Sequence, residues 1–415
     1  AGRDAAAAAA LAEAIPALEH DGGVKLPLAL SAYAEALFDL GRADDAVSAS
    51  ARAIEAAARS GGADTLDALA TRLSHGELLS RMERHAEAVA VLDPALERWR
   101  ASSGPNDDRY LRGLKALATS RMSLGTLDNP EAMFRELLAL HRQLYSPPHD
   151  QIAAAMRDLA ATIADGQGLD EAHALLDEAL AMQRAVLAPD NLQQVMTLDL
   201  RGLLYSQGQE FAAAEAAYAE AAGICERAKL DNETCSRVRN NRGHNLYRQG
   251  KLAEAEREMR IALAERRQRF GEDHMTVAVS LSTLGNVLDR AGRPAESVAL
   301  QREALAIFER IGQHDSSDFA LIGNSLAQSQ LSAGDAAAAL ETLRGALALW
   351  QRKMPEGKRR EFSMRVLESR ILLALGRRAQ ARQAAEAALA LGLDRALVTA
   401  PERNMLRAAT GRHDL

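Results

Sequence analysis

Residues 236–250, SRVRNNRGHNLYRQG, gather four arginines, three asparagines and one histidine into one short stretch. Guanidinium forks pair with carboxylates or phosphates, and carboxamides donate and accept hydrogen bonds at once. None of these groups is an activated nucleophile, so the chemistry on offer is recognition. Reactive combinations are missing elsewhere. There is no GxxxxGK[ST] phosphate loop, no HExxH, no GxSxG and no HRD motif with its asparagine, and Ser317-Asp318-Phe319-Ala320 lacks the glycine of DFG. Gly271-Glu272-Asp273-His274 has metal-ligating side chains. The matching stretches elsewhere read SPPHD, APDNL and GQHDS, where an acid serves better as a helix cap, so neither metal nor cofactor is expected. The basic cluster Lys353, Lys358, Arg359 and Arg360 reads as a solvated loop. Cys225 and Cys235 make no CxxC pair and no zinc set.

The elements that carry these residues are helices. Of 415 residues, 47% are hydrophobic but only 4% aromatic, and runs of β-branched residues are rare, which suits close helix packing on Ala and Leu. A net charge of −7 argues against a general nucleic-acid binder. No stretch of about 18 apolar residues offers a membrane span, and no leader pattern is present. The sequence opens AGRDAAAAAA without Met, which suggests a piece of a longer polypeptide.

A period of 42 residues runs along the chain. Ala34, Gly76, Ala118, Ala160, Gly202, Gly243, Gly285, Ala327 and Ser369 keep that step except for one of 41. Nineteen residues later comes a second series: Ala53, Ala95, Ala179, Ala221, Ala262, Ala304, Ala346 and Ala388. In the third repeat an insertion near Asn129-Pro130 is expected, with Ala139 taking the slot. Two helices joined by a tight turn approach closely only where each presents a small residue. Turns are marked by Gly41, Gly125, Gly250, Gly292, Gly334 and Gly376. Asp107, Asp150, Asp231, Asp273 and Asp315 are the expected caps of the first helices. The reading is an all-α solenoid of nine helix pairs over residues 24–391. Residues 1–23 hold the second helix of a truncated preceding repeat and a linker, and 392–415 a C-terminal cap and tail. Cys225 and Cys235 fall at the end of one helix and the start of the next, so a disulfide and two packed thiols are both open; a bridge would imply an oxidising compartment.

The pattern Leu281-x-x-Leu284-Gly285-x-x-Leu288-x-x-x-Gly292-x-x-x-Glu296-Ser297, preceded by GEDH, resembles tetratricopeptide repeats of the long-period, kinesin-light-chain type. Repeats 6 and 7 match best and repeat 3 worst, with Arg121 where Leu is usual. The resemblance implies a right-handed superhelix whose first helices line a peptide-binding groove, with no catalysis in this chain. Numbering the small residue as position 8, positions 2, 5, 9, 12 and 13 of the first helix face that groove in the family. Those slots hold Arg237, Asn240, His244, Tyr247 and Arg248 in repeat 6, with Asn241 on the flank. Repeat 7 places Ser282, Asn286, Asp289 and Arg290 there, and repeat 8 Asn324 and Gln328. An extended acidic peptide would suit such a wall; a wet groove, or arginines paired with acids of a neighbouring repeat, is the alternative. Arg239 and Arg242 are expected on the solvated side. Repeats 1, 2 and 4 offer Leu28, Ser31, Ala70, Leu73, Ala154 and Ala161, a less polar wall that suits an apolar segment, a folded partner or a second copy of the chain.

Repeats of this look are familiar behind bacterial serine/threonine kinase domains and behind transcription-regulator domains. By that analogy the chain is the C-terminal sensor of a signalling protein, periplasmic if it follows a kinase and a membrane span and cytoplasmic otherwise. The alternative is a free-standing scaffold joining two proteins.

Overall fold

The computed structural model describes residues 2–21, 25–164, 168–230, 232–394 and 397–412. Asp231, the expected linker residues 22 and 23, residue 24 at the expected start of the solenoid, and the last three residues of the tail lie outside the described residues. Among the described residues there are twenty helices and no strand. They fall into two compact units, Ala1–Pro189 and Asp190–Leu415. In the first, α1 (Gly2–Asp21) precedes four helix pairs: α2 (Lys25–Asp39) with α3 (Ala43–Gly61), α4 (Leu66–Arg81) with α5 (His85–Ser103), α6 (Asp108–Ser123) with α7 (Pro130–Leu144), and α8 (Asp150–Ile163) with α9 (Leu169–Val186). The second holds five pairs: α10 (Leu192–Gln207) with α11 (Phe211–Arg227), α12 (Glu233–Arg248) with α13 (Leu252–Phe270), α14 (Met275–Arg290) with α15 (Pro294–Arg310), α16 (Ser317–Ser332) with α17 (Ala336–Lys353), and α18 (Lys358–Ala374) with α19 (Arg378–Leu389). A final helix, α20 (Ala400–Thr410), closes it.

Each pair is held at its small residue. A Cβ added to Gly76 would sit 2.4 Å from Leu92, and one on Gly202 or Gly243 would sit 2.7 Å from Tyr218 or Met259. At Gly285 the intruder would meet Gln301 at 2.8 Å. In every case the partner lies sixteen residues further on. The second helix thus drops a large side chain into the gap that the glycine leaves. The Ala series opposite is buried throughout, none of its members more than 7% exposed.

The third repeat departs from expectation. Ala118 and Ala160 keep the 42-residue step, so nothing is inserted; α7 instead starts three residues late relative to its neighbours. The slot nineteen residues after Ala118 belongs to Leu137, 3% exposed, while Ala139 faces solvent. The helix lacks its first turn, and the length it lost is loop.

Turn glycines hold as read: Gly41, Gly125, Gly250, Gly292, Gly334 and Gly376 all have φ between 65° and 90°. Glu83 and Gln209 take the same left-handed position in two repeats that lack the glycine. The caps shift. Asp107 accepts from the Arg109 amide as expected, but His149, His274 and Ser316 cap α8, α14 and α16 in place of Asp150, Asp273 and Asp315. Asn232 caps α12. Helices α14 and α16 begin one residue later than read, which frees the acid to reach the end of the pair's second helix. Asp273 pairs with Arg310 at 2.6 Å, and Asp315 with Arg352 and Lys353. Exposed pairs like these are screened by solvent and each contribute little.

Cys225 and Cys235 are joined as a disulfide with Cα atoms 5.9 Å apart. The bridge spans the loop between α11 and α12, where the single 41-residue step has removed one residue.

Two outcomes test this packing. Gly202→Ala drives a methyl into the buried Tyr218 ring and should cost about 1–3 kcal/mol. Gly345→Ala, with no atom within 4 Å of the new Cβ, should stabilise α17 by roughly 0.5–1 kcal/mol. Urea midpoints of the whole chain moving in the same direction for both would contradict the account. His75 and His141 are buried, and desolvation lowers both pKa values, with Arg84 adding to the effect at His75. The unfolded chain therefore binds protons first, so stability is intact above about pH 6.5 and declines as pH falls through the lowered folded values. Thermal melts at pH 7.5 and 5 should show that loss, and His75→Gln/His141→Gln should diminish it.

Candidate functional site

In the second unit the first helices α10, α12, α14, α16 and α18 succeed one another in the same register, so equivalent slots line up as rows. One row, three residues before the small residue, reads Asp199, Asn240, Ser282, Asn324 and Val366. Another, one residue after it, reads Leu203, His244, Asn286, Gln328 and Arg370.

The arginines of repeat 6 are tethered. Arg237 Nε donates to Asp199 Oδ2 at 2.9 Å, and Asn241 Nδ2 donates to the other oxygen at 3.0 Å. Asp199 is only 6% exposed, so it needs both partners. Arg248 donates to the Ser206 carbonyl at 2.9 Å and lies over the Phe211 ring. Arg290 repeats the device one pair on, donating to the Tyr247 carbonyl at 2.8 Å and covering the Tyr247 ring. Each guanidinium satisfies a carbonyl at the C-terminal end of the preceding first helix, where the helix dipole favours a cation. These side chains build the wall more than they reach out from it.

Arg239 and Arg242 correct the sequence reading. Their side chains are 11% and 19% exposed, between helices and not in solvent. Arg242 pairs with Glu215 at 2.8 Å and Glu258 at 3.1 Å; Arg239 pairs with Glu265 at 3.1 Å and Glu226 at 3.2 Å. They stand where repeat 7 has the core residues Leu281 and Leu284, four and one residues before the small residue. That alignment was the available signal.

The rest of the wall is mainly amide. Asn240 Oδ1 and Asp289 Oδ1 are buried without a hydrogen-bond partner. His244 keeps an exposed edge beside Tyr247, and desolvation first, then Arg248, lowers its pKa. Ser282 is buried, and its carbonyl, like Asn286 Oδ1, accepts from Gln301 Nε2. Asn286, Asn324 and Gln328 line a cleft of about 450 Å³. Its other walls come from residues the sequence reading passed over: Ser363, Val366, Leu367 and Arg370 on α18, and Pro401, Glu402 and Met405 on α20. Ser363, Val366 and Arg370 occupy positions 2, 5 and 9 of repeat 9, so the slot rule would have found them. Helix α20 was marked by its own capping box. Thr399 accepts from the Glu402 amide, and Glu402 accepts from the Thr399 amide at 2.9 Å.

Across the face, Glu402 is clamped by Arg359 at 2.9 and 3.0 Å and by Ser363 at 2.9 Å. Burial alone would raise its pKa, but these donors and Thr399 outweigh burial and hold it below the ordinary carboxylate range. In the first unit, Leu28 is 72% exposed, while Leu73 is buried at 2% and cannot line a wall. Among the described residues no group of three His, Cys, Asp or Glu side chains could hold a metal, and no helix is long and apolar enough to cross a membrane.

Two tetratricopeptide-repeat family models match the chain, one over residues 26–101 and 234–310, the other over 152–192. The irregular third repeat lies outside both. Among solved structures, the Rap protein complexed with Competence and Sporulation Factor is 15% identical with a TM-score of 0.53, covering 82% of this chain and 93% of its own. A kinesin light chain of nearly identical TPR-like repeats from Podosopora anserina is 16% identical with a TM-score of 0.45, covering 49% of this chain and 97% of its own. BtubC from P. vanneervenii is 22% identical with a TM-score of 0.48, covering 55% and 92%. At 15% identity the likeness to the Rap protein is one of fold. No curated protein sequence matches significantly.

Removing Glu258, whose side chain is 4% exposed, leaves Arg242 short of one of its two acids and weakens the field at Arg239. Glu258→Ala should cost about 3–5 kcal/mol, as expected when one member of a buried ion cluster is deleted. A urea midpoint within error of wild type would show the cluster to be energetically idle.

Proposed function

Because the chain carries tetratricopeptide repeats, a binding fold that generally lacks catalysis, we propose that it is a non-catalytic protein- or peptide-binding region. An extended segment lies along the first-helix face of its second unit. The observation that carries this reading is the run of amide side chains on consecutive first helices, Asn240, Asn286, Asn324 and Gln328, of which Asn240 keeps a buried acceptor unused. A carboxamide pairs with a peptide bond through donor and acceptor together. First helices about 10 Å apart and an extended chain rising about 3.3 Å per residue give about three peptide residues per repeat. Repeats 6 to 8 then take a peptide of about nine residues. Arg237, Arg248 and Arg290 set the shape of the face and add positive potential; Tyr247 and His244 supply flat surfaces. An acidic peptide suits that potential.

The wider placement follows from the resemblance stated first: the C-terminal sensor of a bacterial signalling protein such as a serine/threonine kinase, where ligand capture biases an attached output domain. A Cys225–Cys235 bridge that persists in the cell fits an oxidising compartment, as a domain beyond a membrane span would meet.

Arrays of nonapeptides test the binding claim. Wild-type chain should select a subset with micromolar Kd, and Asn286→Ala/Asn324→Ala should weaken those at least tenfold with its circular dichroism unchanged. Each lost hydrogen bond is worth about 1 kcal/mol. Equal binding by both proteins would remove the peptide from this face. Arg237→Glu is a poor probe, since it sets a second acid against buried Asp199.

A further inference from the structure

Helix α12 is held in the array by fewer apolar side chains than its neighbour. It buries Cys235, Val238 and Leu246, where the next first helix, α14, buries Val277, Leu281, Leu284, Val287 and Leu288. Ion pairs stand in place of the leucines. Arg239 meets Glu226 and Glu265, Arg242 meets Glu215 and Glu258, and Ser236 donates to Glu265 at 2.8 Å. Charged groups recover their hydration when a helix leaves its neighbours, so such pairs resist opening less than buried leucines do.

The Cys225–Cys235 bridge is the covalent tie. It joins the last turn of α11 to the first turn of α12, and the adjoining Glu226 and Ser236 both belong to the ion network. While the bridge is closed, the α11–α12 loop cannot gain the chain freedom that drives local opening; once it is cut, that freedom returns. The two cysteines are 4% and 3% exposed, so a thiolate reaches their sulfurs only through an opening of this same junction. Reduction and opening are therefore linked, and whatever holds α12 closed also protects the bridge.

The consequence falls on the candidate site. Asn240 and His244 belong to the rows of the first-helix face, and Arg237 and Asn241 reach back from α12 to Asp199. We propose that the Cys225–Cys235 bridge is a redox latch on that face. Closed, it keeps α12 seated and the rows continuous from repeat 5 to repeat 7; reduced, it lets α12 open locally and interrupts them. The step is a thiol–disulfide exchange. A dithiol reductant gives up two electrons and two protons, the S–S bond breaks to two thiols, and the dithiol closes to its own disulfide. The latch rests on the peptide-binding reading above and adds the regulation of that face.

Hydrogen–deuterium exchange of the whole chain, oxidised and after reduction by dithiothreitol with both thiols titrated, tests the latch without any variant. The amides of α12 should exchange about tenfold faster or more in the reduced chain, with α16 and α18 unchanged. Cys225→Ala/Cys235→Ala should match the reduced chain with or without dithiothreitol. Nonapeptides selected by the oxidised chain should bind the reduced chain about tenfold more weakly or worse, and at saturation should slow reduction of the bridge by a similar factor. Equal α12 exchange in both forms overturns the latch. Acceleration spread over the whole second unit overturns it too, since the bridge would then be a general staple. A loosened α12 with unchanged peptide affinity rules out redox control of the face. If the oxidised chain selects no peptide, the peptide-binding reading fails, while the exchange comparison still decides whether the bridge governs α12.

Discussion

Two helices can touch only where no side chain stands between them, and every pair in this chain is built around such a place. The gap at Gly76, Gly202, Gly243 or Gly285 is filled from the partner helix sixteen residues on, by Leu92, Tyr218, Met259 or Gln301. The offset depends on turn length, so the turn glycines at positive φ belong to the same constraint. Because the contact recurs at a fixed offset, each first helix is presented at the same rotation. Slots of the same number then stand side by side, so Asn240 with Asn324 and Asn286 with Gln328 share two rows of one face as a consequence of the period of 42 in the sequence.

Repeat 6 shows what happens when polar residues meet that constraint on both faces of one helix. On the wall side, Arg237 and Asn241 hold the buried Asp199 carboxylate, and Arg248 closes the end of the previous first helix. On the packed side, Arg239 and Arg242 replace the leucines of repeat 7 and bring their own glutamates. A buried ion cluster is weak evidence for stability, since well-packed leucines do as well. The cluster ties α12 to Glu215 and Glu226 of α11 and to Glu258 and Glu265 of α13. The loop trimmed by one residue and bridged by Cys225 and Cys235 lies at the same junction.

The architecture was legible because it repeats: helix pairs, small-residue series and turn glycines all follow from spacing. What escaped the sequence was set by single-residue choices in three dimensions. Asp273 and Asp315 look like caps, yet the following His274 and Ser316 cap equally well and leave the acids to arginines of the second helix. Leu137 fills a slot meant for alanine, and the late start of α7 was announced by Asn129-Pro130, a cap and first-turn proline that was read as an insertion instead. Arg239 and Arg242 looked solvated because arginine usually is; their alignment one 42-residue repeat before Leu281 and Leu284 carried the opposite message. The wall itself was half read. Asn286, Asn324 and Gln328 do line a cleft, but its closing helix lies outside the repeat pattern, so no slot rule reaches Glu402 or Met405.

The central claim is that ligands are read by the first helices of the second unit. Hydrogen–deuterium exchange of the whole chain, with and without a saturating selected nonapeptide, addresses it most directly. The account predicts slowed exchange at the last turns of α12, α14 and α16 and in α20, with α13, α15 and α17 unchanged. Protection centred on those second helices, or in the first unit alone, would contradict it.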